Sequence, residues 1–448
     1  MSCHCAGHRT VLVIAAGAIS IIGGSMSARA QDDFDRPPIA YAHTAPNNPV
    51  SRLQDRLSSG DVQLSYEEPW GYLRSILAAL DVPQSSQMLV FSKTSLQRHR
   101  INPRTPRAIY FNDDLYIGYC CNGELLEFSV ADPQLGTVFY TVKQQDNVPA
   151  KFNRQNDNCL VCHAGGQTRG VPGHLFRSMY VNTSGQPMLA SGSFRVDHTS
   201  PIENRWGGWY VTGKHGTQTH LGNLTFRNRE DVDGARDTAG LNLTDLGDRF
   251  NTDAYLTSHS DLVALMVLGH QAGGHNVLTK ALYQTRTALH REAALNRELN
   301  EPEGHRWDST NTILNSSVDS LVNYFLFCEE AKPNAPLEGS TDFAKDFAAR
   351  GPRDRTGRSL RDFDLQTRLF KHPCSYLIYT ESFDALPDEL RQRFWTKLKA
   401  ILNEDDATPQ FAHLTPADRQ AIREILCDTK PEAAKFLAPD ARVSLRAR

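Results

Sequence analysis

Apolar residues recur at two different periods along this chain, and the change of period divides it. Between Met88 and Val142 they come in short runs: Met88-Leu89-Val90-Phe91, Ala108-Ile109-Tyr110-Phe111, Leu115 to Tyr119, Leu125 to Val130 and Thr137 to Val142. These runs are rich in β-branched and aromatic residues, and such runs bounded by turn residues predict strands. Asn112-Asp113-Asp114, Asn122-Gly123, Asp132-Pro133 and Leu135-Gly136 supply the turns, so the segment predicts an antiparallel meander. Further strands or extended loops are expected at 174–181, 192–196 and 209–212.

From about Ser258 the period becomes 3.6. Ser258-x-x-Asp261 reads as a capping box opening the apolar run Leu262 to Leu268. Gly273-Gly274 is expected to interrupt that helix before helical spacing resumes to about Leu299. Helices are also predicted over 318–328, 387–402 and 415–427, the last with Thr415 as N-cap and Pro416 at N1. The stretch 333–352 reads as a linker or loop. Upstream, 69–80 has helical spacing, and 31–60, rich in Pro, Ala, Asn, Asp and Ser, reads as an extended lead-in. The predicted fold class is α+β, with an antiparallel β-rich region over 61–255 and an α-helical region over 256–448. No internal repeat is present, and the length suits either one large unit or two.

The first 30 residues change this picture. A short head carrying Arg9 precedes an apolar run from Val11 to Ile22, and Ala28-Arg29-Ala30 follows. That is the layout of a secretory signal peptide with cleavage after Ala30, so the chain is expected to be exported, periplasmic in a bacterium, with no transmembrane span once the leader is removed. The leader carries two basic residues and no acidic ones, so its loss takes the formal net charge from −3 to −5. A mildly acidic chain without a basic run is a poor candidate for nucleic-acid binding or for an anionic membrane surface.

Between the two halves stands Cys159-Leu160-Val161-Cys162-His163. C-x-x-C-H is the pattern of covalent haem attachment, with one thioether from each thiol and the adjacent His as proximal iron ligand. With 9 Cys and 16 His in 448 residues, a chance occurrence is expected in about 0.6% of such chains. A zinc site would want a second close Cys or His pair, and Cys120, Cys121, Cys328, Cys374 and Cys427 form none at that spacing. A thioredoxin-type dithiol would follow a buried strand, whereas Phe152 to Asn158 is polar. An ordinary disulfide is the remaining alternative. In an oxidising compartment some of the five other thiols are expected to pair, with the pairing left open.

The motif resembles that of c-type cytochromes, and the resemblance covers the region around it. It implies one covalent haem c on Cys159 and Cys162 with His163 on the iron. A compact helical cytochrome c carries its motif near its own N-terminus. Here the motif follows a β-meander, so the whole chain is more similar to large exported bacterial proteins with a single haem. The strand-then-haem order is also similar to the β-sheet class related to cytochrome c′-beta, which implies a five-coordinate or reactive haem.

The sixth ligand decides function, because Met or His makes an electron carrier and an open position makes a gas-binding or catalytic site. The candidates are His174, Met179, His220 and His270, with Met188 and His275 behind them and Met266 read as core filling. Arg205-Trp206-Gly207-Gly208-Trp209-Tyr210 and Lys214 form a second dense segment. Its aromatics can pack on a porphyrin and Arg205 or Lys214 can pair with a propionate, or the segment is a tight turn with aromatic core packing. His372-Pro373-Cys374-Ser375-Tyr376 reads as a ligand loop or as structural packing. The expected function is periplasmic electron transfer with a redox partner protein. The alternative is a haem oxidoreductase or gas sensor acting on a small molecule such as peroxide or NO.

Overall fold

The computed structural model describes residues 34–234, 240–404 and 408–438. The leader and its expected cleavage point lie outside the described residues.

Six strands form one antiparallel meander, β1 (Met88–Val90), β2 (Arg107–Phe111), β3 (Leu115–Cys120), β4 (Leu125–Asp132), β5 (Gly136–Lys143) and β6 (Asn153–Arg154), each paired with the next. The turns form because side chains satisfy their backbone. Asn112 Oδ1 accepts from the N–H groups of Asp114 and Leu115, and Asp132 Oδ1 accepts from those of Gln134 and Leu135. Gly136 has φ +71, and a Cβ there would lie 2.2 Å from Thr279 Cγ2, so the β4–β5 turn needs glycine to dock on the helix that follows. A small ribbon of β7 (Arg177–Met179) and β8 (Ser193–Arg195) lies beyond the motif.

The helical half is organised on one long helix, Leu262–Leu299 (α4 here, after α1 Pro49–Ser59, α2 Leu73–Ala79 and α3 Leu160–His163). Nearly every residue from Leu262 to Thr279 is buried, which makes α4 a central helix wrapped on all sides. Helix α5 (Asp308–Phe325) packs antiparallel to it, since Trp307 N–H reaches Glu292 while Tyr324 Oη reaches the carbonyl of His270. Buried side chains from Phe34 to Leu437 form one hydrophobic cluster that joins the sheet to the helices. Among the described residues no helix is long and apolar enough to cross a membrane.

Four sequence expectations need correction. Residues 49–59 of the expected lead-in are helical, because Asn48 caps the N-terminus and Pro49 stands at N1. Gly273-Gly274 does not break α4. The Tyr324 ring and Leu377 lie so close that a Cβ on either glycine would collide with them, so these glycines admit neighbours rather than bend the backbone. The cap of α4 is Asp261 alone, which accepts from Val263 N and Ala264 N, while Ser258 bonds Asp245 instead. The 333–352 stretch contains the strand Glu338–Gly339 and the helix Phe343–Ala349.

Candidate functional site

The motif occupies a single turn of helix. His163 N–H donates to the carbonyl of Cys159 at 2.9 Å, and this i, i+4 step brings the first thiol and the imidazole onto one face with Cys162 beside them. Leu160 is buried and anchors the turn, whereas Val161 and Cys162 are exposed. Cys159 packs against the core, and burial pushes its thiol up to about 11. The seven described cysteines are all free thiols, so the pairing expected of Cys120, Cys121, Cys328, Cys374 and Cys427 is absent. Cys120, Cys328 and Cys374 are instead buried as small apolar groups.

His163 is oriented by what lies behind it. Its Nδ1 is 3.0 Å from the carbonyl oxygen of Gly173, and a carbonyl only accepts, so Nδ1 carries the proton. Nε2 makes no hydrogen bond among the described residues. The ring edge packs on Phe139 at 4.7 Å, and burial lowers the imidazole's pKa, keeping it neutral. A neutral imidazole with Nδ1–H on a backbone carbonyl and a free Nε2 is the form that ligates a metal. The Gly173 carbonyl is itself held. Asn276 of α4 accepts from His174 N–H and donates to the His174 carbonyl, both at 2.8 Å. Gly173 N–H returns to the carbonyl of His163 at 2.8 Å. A Cβ on Gly173 would lie 2.3 Å from Asn276 Oδ1, so only glycine fits under this clamp. Gly173 and Asn276 were not legible as site residues, and only the glycine itself was a local signal.

The four distal candidates sit in different surroundings. His174 is buried, with Nδ1 2.8 Å from Ser129 Oγ and Nε2 without a partner. Its ring packs against Tyr116 at 4.4 Å and His275 at 5.2 Å. Burial, then His275 and His163, hold it well below the ordinary imidazole range. Both nitrogens of His220 are engaged. Gly222 N–H donates to Nδ1 at 3.0 Å, which leaves Nε2–H to donate to His215 Nε2 at 3.2 Å. Burial, reinforced by His215, lowers its pKa to about 3. His270 Nδ1 is 3.1 Å from His198 Nδ1, and its Nε2 is 2.8 Å from Ser375 Oγ. Met179 is buried in β7, its N–H bonded to the carbonyl of Gly207. His275 donates from Nε2 to the carbonyl of Asp113 at 2.8 Å.

The second dense segment turns inward. Arg205 donates to the carbonyls of Ser200 and His198 and to Met266 Sδ, Trp206 is fully buried, and Lys214 pairs on the surface with Glu338. His372 and Cys374 are likewise buried. The loop leaving the motif, Gly165 to Val171, ends at a cavity of about 580 Å³ whose walls include Tyr283, Ala288, Trp307 and Ile313. No group of three His, Cys, Asp or Glu side chains converges as a metal cage among the described residues. No family model, curated protein or solved structure matches this chain.

Proposed function

We propose that this chain is an exported protein carrying one covalent haem c on Cys159 and Cys162, with His163 as the proximal iron ligand, and that it transfers electrons to a partner protein in the periplasm. The observation that carries this reading is the pairing of His163 Nδ1–H with the Gly173 carbonyl, which leaves Nε2 free beside two thiols on one helical turn. The donor set matches the chemistry, since two unpaired thiols are what thioether attachment consumes. When bound, the haem supplies a one-electron couple. The protein's part is to hold the imidazole's tautomer and angle.

The test is expression of the full chain with a cytochrome c maturation system, followed by a haem stain after denaturing electrophoresis. Covalent haem in the wild type and its loss in the Cys159→Ala/Cys162→Ala double variant are expected. A colourless wild type, or a double variant that keeps covalent haem, refutes the assignment.

A second reading has its own support. His220 and His270 are committed to internal pairs, while Met179 and the unpartnered Nε2 of His174 are both buried, His174 packed among Tyr116, Ser129 and His275. That favours an open distal face and a haem oxidoreductase or gas sensor, and the cavity at Gly170 and Val171 is of a size that takes a small ligand. A reduced spectrum that shifts under CO selects this reading, and an unchanged low-spin spectrum selects electron transfer.

A further inference from the structure

Two arginines face each other on the β7–β8 ribbon, and a third, Arg169 in the loop leaving the motif, feels the charge of Arg195. Arg177 and Arg195 are direct cross-strand partners. Like charges facing each other across a ladder destabilise it, so the pairing asks for a compensating anion. Arg169, in the same loop as the motif's exit, donates its backbone N–H to the Gly166 carbonyl at 3.2 Å, but its side chain makes no hydrogen bond or ion pair among the described residues. Its backbone is left-handed, φ +63, a conformation that costs an arginine more than it would glycine or asparagine.

The nearby negative charge is too small to balance them. Arg195 lies 3.6 Å from Asp197, whose carboxylate is almost fully buried and also accepts from Thr199 N–H and Oγ1. Among the described residues the Arg177 guanidinium donates only to the Ser193 hydroxyl. The guanidinium of Arg169 is depressed by burial and then by Arg195, while Tyr324 and Asp197 act in the opposite direction. Arg195 and Arg169 therefore share a carboxylate that is already occupied, and Arg177 adds a third positive charge across the ribbon.

We propose that Arg169, Arg177 and Arg195 form a binding site for a carboxylate or small oxyanion. Guanidinium forks match such groups bidentately, and a bound anion removes the repulsion across β7–β8. Two sources have this chemistry, a free oxyanion and a propionate of a haem tethered at Cys159 and Cys162. Only the propionate source rests on the haem assignment, because the arginine cluster is defined by residues outside the motif.

The experiment titrates the full chain with inorganic phosphate and with acetate at constant ionic strength, by calorimetry and by the rise in melting temperature. It is run on the wild type, on the Cys159→Ser/Cys162→Ser chain, and on Arg169→Gln and Arg195→Gln in both backgrounds. Binding by the wild type that weakens on the order of tenfold or more in either arginine variant supports a free oxyanion. Binding by the cysteine-less chain alone, with the same arginine dependence, supports a propionate. A wild type without haem defeats the haem assignment but leaves the phosphate titration decisive. Absence of binding in both backgrounds, or binding indifferent to both substitutions, overturns the site. Arg195→Gln is expected to leave the anion-free melting temperature unchanged or higher, because it removes one of two facing like charges, and a large fall would assign Arg195 a structural role. Should Arg169→Gln not fold, Arg177→Gln takes its place with the same expectation.

Discussion

Asn276→Leu tests whether α4 controls the motif at a distance. Leucine keeps the branched shape of the side chain and removes both polar atoms. The Asn276 amide is buried and makes two 2.8 Å bonds to the backbone of His174, also buried. Losing it strands one N–H and one carbonyl, each costing about 1–3 kcal/mol when left unpaired in the interior. With some relaxation, a net loss of about 3 kcal/mol is expected in urea denaturation of the full chain. A second effect follows from position. The residue before His174 presents the carbonyl that orients His163. Loss of an outer partner of a metal-ligating histidine weakens ligation by about 10–100-fold. On the proposed haem assignment, the acid titration in which His163 would leave the iron should therefore move up by about one to two pH units. Stability within about 0.5 kcal/mol of the wild type would refute the clamp. A stability loss with an unmoved acid midpoint would show that the clamp holds the loop but does not govern His163.

Two pH-dependent effects follow from buried groups. Asp114 is raised to about 7, by burial first and then by Asp113. A carboxyl with a raised folded pKa gives stability that is full below its unfolded value and is lost as pH rises through 7. Asp114→Asn should accordingly gain on the wild type by about 2 kcal/mol between pH 5 and pH 8, allowing for partial exposure. An unchanged difference between the two proteins in denaturant titrations at those pH values removes the explanation. His220 has the opposite sign. Its depressed pKa gives stability that is present above the ordinary histidine value of about 6.5 and lost as pH falls toward 3. The destabilisation caused by His220→Gln should shrink by about 2 kcal/mol from pH 7 to pH 5, and equal destabilisation at both would mean that the residue titrates normally.

The meander was legible because each strand carries its own evidence, apolar residues at close spacing between turn residues whose side chains cap local backbone groups. Thr415-Pro416 was legible for the same reason, and it does open the helix Pro416–Thr429 with Asp418 completing a capping box. The misreadings at Gly273-Gly274 and at Ser258 share a cause. The first glycine pair is shaped by Tyr324, about 50 positions away, and Ser258 is diverted by Asp245. Nothing in a local window reports such partners. The candidate site divides in the same way. Cys159, Cys162 and His163 stand out because attachment chemistry dictates residue type and spacing together. What orients His163 is a carbonyl at Gly173, fixed by a side chain more than 100 residues on, and a backbone carbonyl has no letter in the sequence. The distal candidates were chosen by residue type alone, which cannot tell a histidine with a free nitrogen from one such as His220 whose two nitrogens are both spoken for. The same limit hid the arginines, since Arg177 and Arg195 become a pair only through the register of β7 on β8. Chemistry that depends on what a residue is can be read from one sequence, and chemistry that depends on which atoms remain unsatisfied needs the fold.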